Sequence, residues 1–245
     1  MNLIPCPLCK AVAFKHVYSD DRPLPTENRH LVQCLHCAHV FVNPVKPQIY
    51  DDVNIEVFDC DLQPGAENRF DYFYNQVMTI WGKPPGNLLE IGCGMGHFIK
   101  RAKKGGWEVH GIEPSTKVAK WANENAVPGC VENEYYGPDF APLGFNVVVG
   151  IEVLEHTLNP EEFLWHVLNK SLLPGGLIYL TVPNFSCLKD RPKNKWHEWP
   201  AMIPFGHLQF FKPGTLVQLM HDTGFKNIGM LTQCGDEQLV VWGWK

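Results

Sequence analysis

The stretch that most limits what this chain can fold into is NLLEIGCGMGHFI, residues 87–99, where an apolar strand-like run breaks into alternating glycines before a helical pattern begins. Glycines at such a junction allow positive φ angles and let a ligand approach the backbone, while the helix behind them presents unpaired N–H groups. The junction opens a longer alternation: HFIKRAKKGG, EVHGIEP, STKVAKWANENA, FNVVVGIE, PEEFLWHVLNKSL and GGLIYLTVPN exchange helical and strand periodicity in turn. That order predicts βαβ units around a mainly parallel sheet. Near the end, PGTLVQLMHDTG reads as a last helix closed by Gly224, and KNIGMLTQ and EQLVVWGWK read as two strands able to pair antiparallel. No internal repeat is visible.

Two segments precede this alternation. Residues 1–45 hold paired cysteines, many polar residues and prolines, and no helical period, and are expected to form a separate small module. Residues 46–85 are expected to connect it to the 86–245 domain through an amphipathic helix, since Phe70, Phe73, Tyr74, Val77 and Trp81 recur three or four apart before a Pro-Pro-Gly break. With 45% hydrophobic and 19% charged residues the chain has an ordinary globular balance. A net charge of -5 gives no electrostatic reason to bind nucleic acid, so a small-molecule partner is expected instead. The start, MNLIPCPLCK, has no leader pattern, and no run approaches the roughly 20 apolar residues of a membrane span. A cytoplasmic protein is expected, one that makes no membrane contact.

The glycine spacing, G-x-G-x-G at Gly92, Gly94 and Gly96, differs from the G-x-G-x-x-G that seats a dinucleotide pyrophosphate. Glu90, just before the loop, would repel a pyrophosphate but suits the ammonium of a methionine moiety, so charge favours S-adenosylmethionine. Glu113 ends the next strand-like run and is placed to accept from both ribose hydroxyls. Taken with FNVVVGIEVLEH, LLPGGLIYLTVPN and GHLQFFKPGTLVQLMHDTGF, these segments resemble class I S-adenosylmethionine-dependent methyltransferases over roughly residues 70 to 245. The resemblance implies an α/β fold, a seven-stranded doubly wound Rossmann-like sheet with its last strand reversed. It also implies cofactor along Glu90, Gly92, Cys93, Gly94 and Gly96, ribose on Glu113, adenine near Asn133 or Glu134, and the methionine end near Ile151 and Glu152.

Cys6 and Cys9 are separated from Cys34 and Cys37 by twenty-four residues, the pattern of two knuckles converging on one tetrahedral Zn2+. Four thiolates leave no open position, so such a site is structural, a zinc ribbon that folds a segment too short for its own core. His36 and His39 are lesser candidate ligands. The N-terminal zinc module is similar to that of the sugar C-methyltransferases of deoxysugar biosynthesis and of small methyltransferases of polysaccharide and natural-product pathways. The resemblance to the former is expected not to extend to their additional C-terminal domain, which departs from a sugar C-methyl assignment.

Methyl transfer from a sulfonium is an in-line displacement that needs a base only when the acceptor is a weak nucleophile. His156, after the fourth strand, is the first candidate base, against the alternative of a helix-start histidine bonded to backbone. His207, in a segment resembling the family's H-x-x-F-F, is the second. Glu152, Glu155 and His156 would share one helical face and suit Mg2+ or Mn2+. That run resembles the Glu-x-x-Glu-His of ubiquinone-biosynthesis O-methyltransferases. The loop NFSCLKDRPKNKWHEWPAMIPFGHLQFF offers Lys189, Arg191, Lys193 and Lys195 to an anionic acceptor and Trp196, Trp199 and Phe205 as a lid. The expected acceptor is a sugar, nucleotide-linked sugar or natural-product intermediate. The alternatives are an RNA or protein methyltransferase that grips its substrate through the zinc module, and a non-catalytic binding protein of the same fold. The oligomeric state and the atom methylated are not legible.

Overall fold

A computed structural model describes residues 3–20, 22, 30–46, 65, 67–204 and 206–245. In chain order the strands are β1 (Phe14–Ser19), β2 (His30–Cys34) and β3 (Val40–Val42), followed by helix α1 (Glu67–Trp81). Then β4 (Asn87–Ile91), α2 (His97–Lys104), β5 (Glu108–Ile112), α3 (Thr116–Asn125), β6 (Val131–Glu132) and β7 (Phe145–Ile151) alternate. They are succeeded by α4 (Pro160–His166), β8 (Leu172–Pro183), β9 (Gln209–Phe210), α5 (Pro213–Thr223), β10 (Lys226–Gln233) and β11 (Gln238–Trp244). Seven strands form one mixed sheet in the order β10-β11-β8-β7-β4-β5-β6, with flanking helices, and β1, β2, β3 and β9 form a second sheet. The expected seven-stranded Rossmann-like fold is what the chain adopts.

The chain divides into two compact units, one of Ile49–Ile151, Trp165–Tyr179 and Gly243–Lys245, the other of Met1–Gln48, Glu152–Leu164 and Leu180–Trp242. In the first unit β4 runs parallel to both β5 and β7, so the chain order reverses on the two sides of β4. Ligands in such sheets lie beyond the carboxyl ends of the strands at the reversal. Leu88, Leu89, Val147, Val148 and Val149 are buried, which is why these strands read as continuous apolar runs rather than alternating ones. Helix α1 buries the five residues its period singled out, Phe70, Phe73, Tyr74, Val77 and Trp81. The basic cluster after the glycine loop closes α2, with Arg101, Lys103 and Lys104 in its last turn where the helix dipole favours cations.

In the second unit the cysteine-bearing segment does not stand alone as its composition suggested. β2 pairs antiparallel with β1 and β3, and β3 pairs with β9, Val40 opposite Phe210 and Phe41 opposite Gln209. A three-residue strand such as β3 has too little apolar surface to close a sheet alone, and β9 supplies the missing edge. The connector expected over residues 46–85 lies outside the described residues at 47–64 and 66. α5 begins with Pro213 and ends at Gly224, whose φ of 114° is open to glycine, as the sequence pattern requires. No helix among the described residues is long and apolar enough to cross a membrane.

Candidate functional site

The glycine loop leaves β4 and enters α2 with Gly92, Gly94 and Gly96 all at positive φ, 66°, 50° and 74°. It is anchored from below: the Cys93 N–H donates to the Ile112 carbonyl at 3.0 Å and the Gly96 N–H to the Cys93 carbonyl at 2.9 Å. A Cβ at Gly111, opposite Glu90 in β5, would lie 2.9 Å from both Cys93 Sγ and Ile99 Cδ1, so a larger residue there would have to push those side chains aside. The bend therefore rests directly on the backbone of the next strand.

Glu113 follows β5 and is buried. Its Oε2 accepts from the Gly94 N–H at 3.0 Å and its Oε1 from the Ser115 N–H at 2.9 Å. Burial raises its pKa, and the two backbone bonds pull it back only in part. Each oxygen retains a second lone pair, so the carboxylate can still accept from a vicinal diol. Glu90 is buried within the same unit, and burial together with the Glu90 and Glu113 charges pushes the Cys93 thiol well up. Cys93 is thus a small protonated side chain packed under the loop.

Asn133, which with Glu134 was expected near the adenine, has its side chain bonded within the turn after β5. Its Nδ2 donates to the carbonyls of Glu113 and Pro114 at 3.0 and 2.8 Å, and its Oδ1 accepts from Thr116 Oγ1 at 2.9 Å. It braces the turn after β5. Ile151 closes β7 and is buried, at the carboxyl end of the strand beside β4.

In the second unit Glu155 and His156 lie in a 3-10 turn, and the segment carrying His207 is zipped onto it. The Leu208 N–H donates to the Glu155 carbonyl at 2.8 Å and Gln209 Nε2 to the Thr157 carbonyl at 2.9 Å. The imidazoles of His156 and His207 meet edge to face with centroids 4.8 Å apart. Both ring nitrogens Nδ1 face carbonyls, Gly206 O for His156 at 3.0 Å and Ala201 O for His207 at 2.9 Å. Carbonyls only accept, so each Nδ1 carries the proton and each Nε2 carries a lone pair. Burial depresses His156 to about 4, and burial with the neighbouring His156 depresses His207 to about 3. The rings are neutral at physiological pH.

Glu155 Oε1 lies 4.0 Å from both Nε2 atoms. The carboxyl is fully buried, and burial first, then the charge of Glu152, raises its pKa well above the carboxylate range. Glu152 does not join this group on a shared helical face as its spacing suggested. It sits at φ 54°, which breaks any helix there, and its Oε1 accepts from Thr181 Oγ1 at 2.8 Å and Gln238 Nε2 at 2.7 Å. The third member is His207, fifty-one residues further on.

The four N-terminal cysteines converge. Cys6 Sγ lies 3.6 Å from Cys37 Sγ and Cys9 Sγ 3.5 Å from Cys34 Sγ, all four are free thiols, and their sulfurs lie within 4.8 Å of one another. Thiolates about 2.3 Å from one tetrahedral zinc stand roughly 3.8 Å apart, so the cage has the size that ion needs. Without an ion, burial lifts Cys6 to about 11, while on Cys34 burial is opposed by hydrogen bonds from the Cys37 and His36 N–H groups and from the Cys9 and Cys37 thiols, which together lower it. His39 is not a ligand here: it is buried, and its Nε2 bonds Gln209 Oε1 at 2.9 Å.

The basic aromatic loop departs from its expected role as a lid. Trp196 and Trp199 are buried in a core with Leu31, Val40, Met202 and Phe210, and Phe205 lies outside the described residues. Lys193 Nζ caps the Val17 carbonyl at 2.9 Å and Arg191 pairs with Glu237 at 3.9 Å. Glu155 is the member of the cluster that sequence reasoning left out of the acid-base candidates; its adjacency to His156 was the available signal.

A family described as a methyltransferase domain matches residues 66–229. The ubiquinone biosynthesis O-methyltransferase of Idiomarina loihiensis is 26% identical over 179 residues, 66% of this chain and 69% of that protein. Its counterpart from Agrobacterium fabrum is 29% identical over 129 residues, 47% of this chain and 51% of that protein. Among solved structures, magnesium protoporphyrin IX methyltransferase from Synechocystis, with bound S-adenosylhomocysteine, superposes with a TM-score of 0.55 at 18% identity, covering 80% of this chain and 91% of that one.

Proposed function

Since the chain belongs to the class I S-adenosylmethionine-dependent methyltransferases, we propose that it moves the sulfonium methyl group to a hydroxyl oxygen of a small molecule, a sugar, nucleotide-linked sugar or natural-product intermediate. The observation that carries the cofactor half is the bend at Gly92, Gly94 and Gly96 with buried Glu113 bonded to its Gly94 amide. In this reading Glu90 attracts the methionine ammonium, the loop backbone takes the methionine and ribose edge, and Glu113 accepts from the ribose hydroxyls.

The oxygen acceptor is supported by the names of the relatives, which are O-methyltransferases, and by the cluster of Glu155, His156 and His207. A hydroxyl is a poor nucleophile until its proton is removed or its oxygen polarised. Two neutral imidazoles with fixed lone pairs, backed by a carboxyl, can do either. Glu152 acts as a brace that orients the start of this segment rather than as a base.

The four-cysteine cage supports a bound Zn2+ held by Cys6, Cys9, Cys34 and Cys37. With all four positions filled by sulfur, such an ion supplies folding free energy and takes no part in the transfer.

The test is turnover. Purified protein with S-adenosylmethionine and a panel of sugar, nucleotide-sugar and phenolic hydroxyl acceptors should yield S-adenosylhomocysteine, and turnover confined to RNA or protein would overturn the reading. Glu113→Gln should weaken cofactor binding in calorimetry by about ten- to a hundredfold, the worth of about 1.5–3 kcal/mol for a hydrogen bond to a charged group. Unchanged affinity would remove Glu113 from the cofactor site.

A further inference from the structure

We propose that His16, Ser19 and His30 form a surface binding site for one divalent transition ion of the nickel, copper and zinc group, distinct from the four-cysteine cage. Ser19 Oγ lies 2.8 Å from His16 Nε2 and 2.9 Å from His30 Nδ1, and the two ring centroids stand 6.2 Å apart. Neighbouring donors about 2.1 Å from an octahedral ion are roughly 3.0 Å apart, and both measured edges match that within about 0.2 Å. Ser19 has a single hydroxyl hydrogen, so it donates to one imidazole and accepts from the N–H of the other. The three donor atoms thus already converge, and a tautomer change in the second ring frees its lone pair for an ion.

The backbone goes out of its way to assemble this group. Side chains three apart on a regular strand point to opposite faces, so His16 and Ser19 should not meet. They meet because β1 carries a bulge: the pairing steps from His16 opposite Val32 to Tyr18 opposite Leu31, which leaves Val17 as the extra residue. Val17 and Tyr18 accordingly pack on one side, both against the core that contains Leu31, Val40 and Trp196. His16 and Ser19 are left together on the other face, where His30 stands directly opposite Ser19 on β2. The Val17 carbonyl at the bulge accepts from Lys193 Nζ at 2.9 Å, which holds the distortion in place. A bulge interrupts the ladder and serves to re-aim a side chain, and here it brings one histidine onto a serine that another histidine already bonds.

Two imidazoles and a neutral hydroxyl select the metal class. Imidazole suits nickel, copper and zinc, whereas Mg2+ and Ca2+ call for carboxylates, and the adjacent Asp20 is buried and taken up by Arg22. His16 and His30 are exposed, so an ion reaches them from solvent and keeps waters at its other positions. The cysteine cage lies at the opposite end of the same strand pair, where Phe14 faces Cys34. Four residues along β2 put roughly 13 Å between His30 and Cys34, too far for one ion to serve both groups. An ion on His16, Ser19 and His30 therefore ties β1 to β2 at the end that the cysteines leave unclamped. This site does not rest on the methyl-transfer reading.

The test is a calorimetric titration of the full chain with Ni2+, its cysteines first saturated with Zn2+; nickel is used because copper oxidises thiols. We expect one equivalent of nickel whose affinity falls by about tenfold or more in His16→Ala and again in His30→Ala. Melting temperatures without nickel should match the wild type, since both side chains are exposed, and nickel should raise the melting temperature of the wild type alone. Ser19→Cys places a sulfur among the donors, so it should bind nickel more tightly and show a thiolate-to-nickel charge-transfer band that the wild type lacks. Nickel held elsewhere on the chain survives both alanine substitutions unchanged. That isotherm, or a Ser19→Cys protein without the band, overturns the proposal.

Discussion

His39 shows how one side chain can set a pH dependence without touching chemistry. It is fully buried, and burial takes it from an ordinary value near 6.5 to about 4 despite the bond its Nε2 donates to Gln209 Oε1. Between those values only the unfolded chain binds the proton, so this contribution to stability is complete above about pH 6.5 and falls as the solution is acidified. The loss from pH 7 to pH 5 reaches about 2 kcal/mol for one such group. His39→Gln should flatten that part of the curve, and urea midpoints at pH 7 and pH 5 that fall equally in wild type and variant would contradict the assignment. Much at this scale was readable in the sequence. Glycine at 92, 94, 96 and 224 announced positive φ, and the structure has it there. Glu152 gave no such warning, because a non-glycine residue in the left-handed region carries no mark in its spacing, and its helical partnership with Glu155 dissolved for that reason.

Elements whose periodicity spans three or more turns or a run of buried β-branched residues were legible, and α1 and β7 are the clear cases. Two-residue strands were not. β9 is only Gln209 and Phe210, yet it edges the sheet of β1 to β3 and brings His207 to His156. The 3-10 segment Lys193–Glu198 misled in the other direction, since its lysines advertise a surface while Trp196 underneath is core. Local composition could not reveal this, because the partners of Trp196 and Trp199 include Leu31 and Val40, more than 150 positions away. Trp199→Ala should therefore cost about 3–5 kcal/mol of stability through the cavity it leaves. Chemical denaturation measures it, and an unchanged midpoint with weakened acceptor binding would restore the lid.

At the scale of the whole molecule the α/β class was legible from alternation and the count of seven strands from the family resemblance, whereas nothing local showed that residues 1–45 are completed by residues from far along the chain. Phe41 packs among Cys6, Val32 and Cys34, and its strand is edged by β9. Deleting residues 1–45 should therefore bare apolar surface around Phe210 and Trp199, and we expect the shortened protein to aggregate or to melt well below the intact one in scanning calorimetry. An unaltered melting temperature would show that segment to be autonomous. The same pairing has a consequence for biosynthesis. At about 5 to 20 residues per second, roughly ten to thirty seconds separate the emergence of β3 from that of β9 at the ribosome. The four cysteines all emerge within the first thirty-seven residues and can converge early, whereas the open edge of β3 must wait. Chaperone occupancy on the nascent chain is expected to concentrate in that interval.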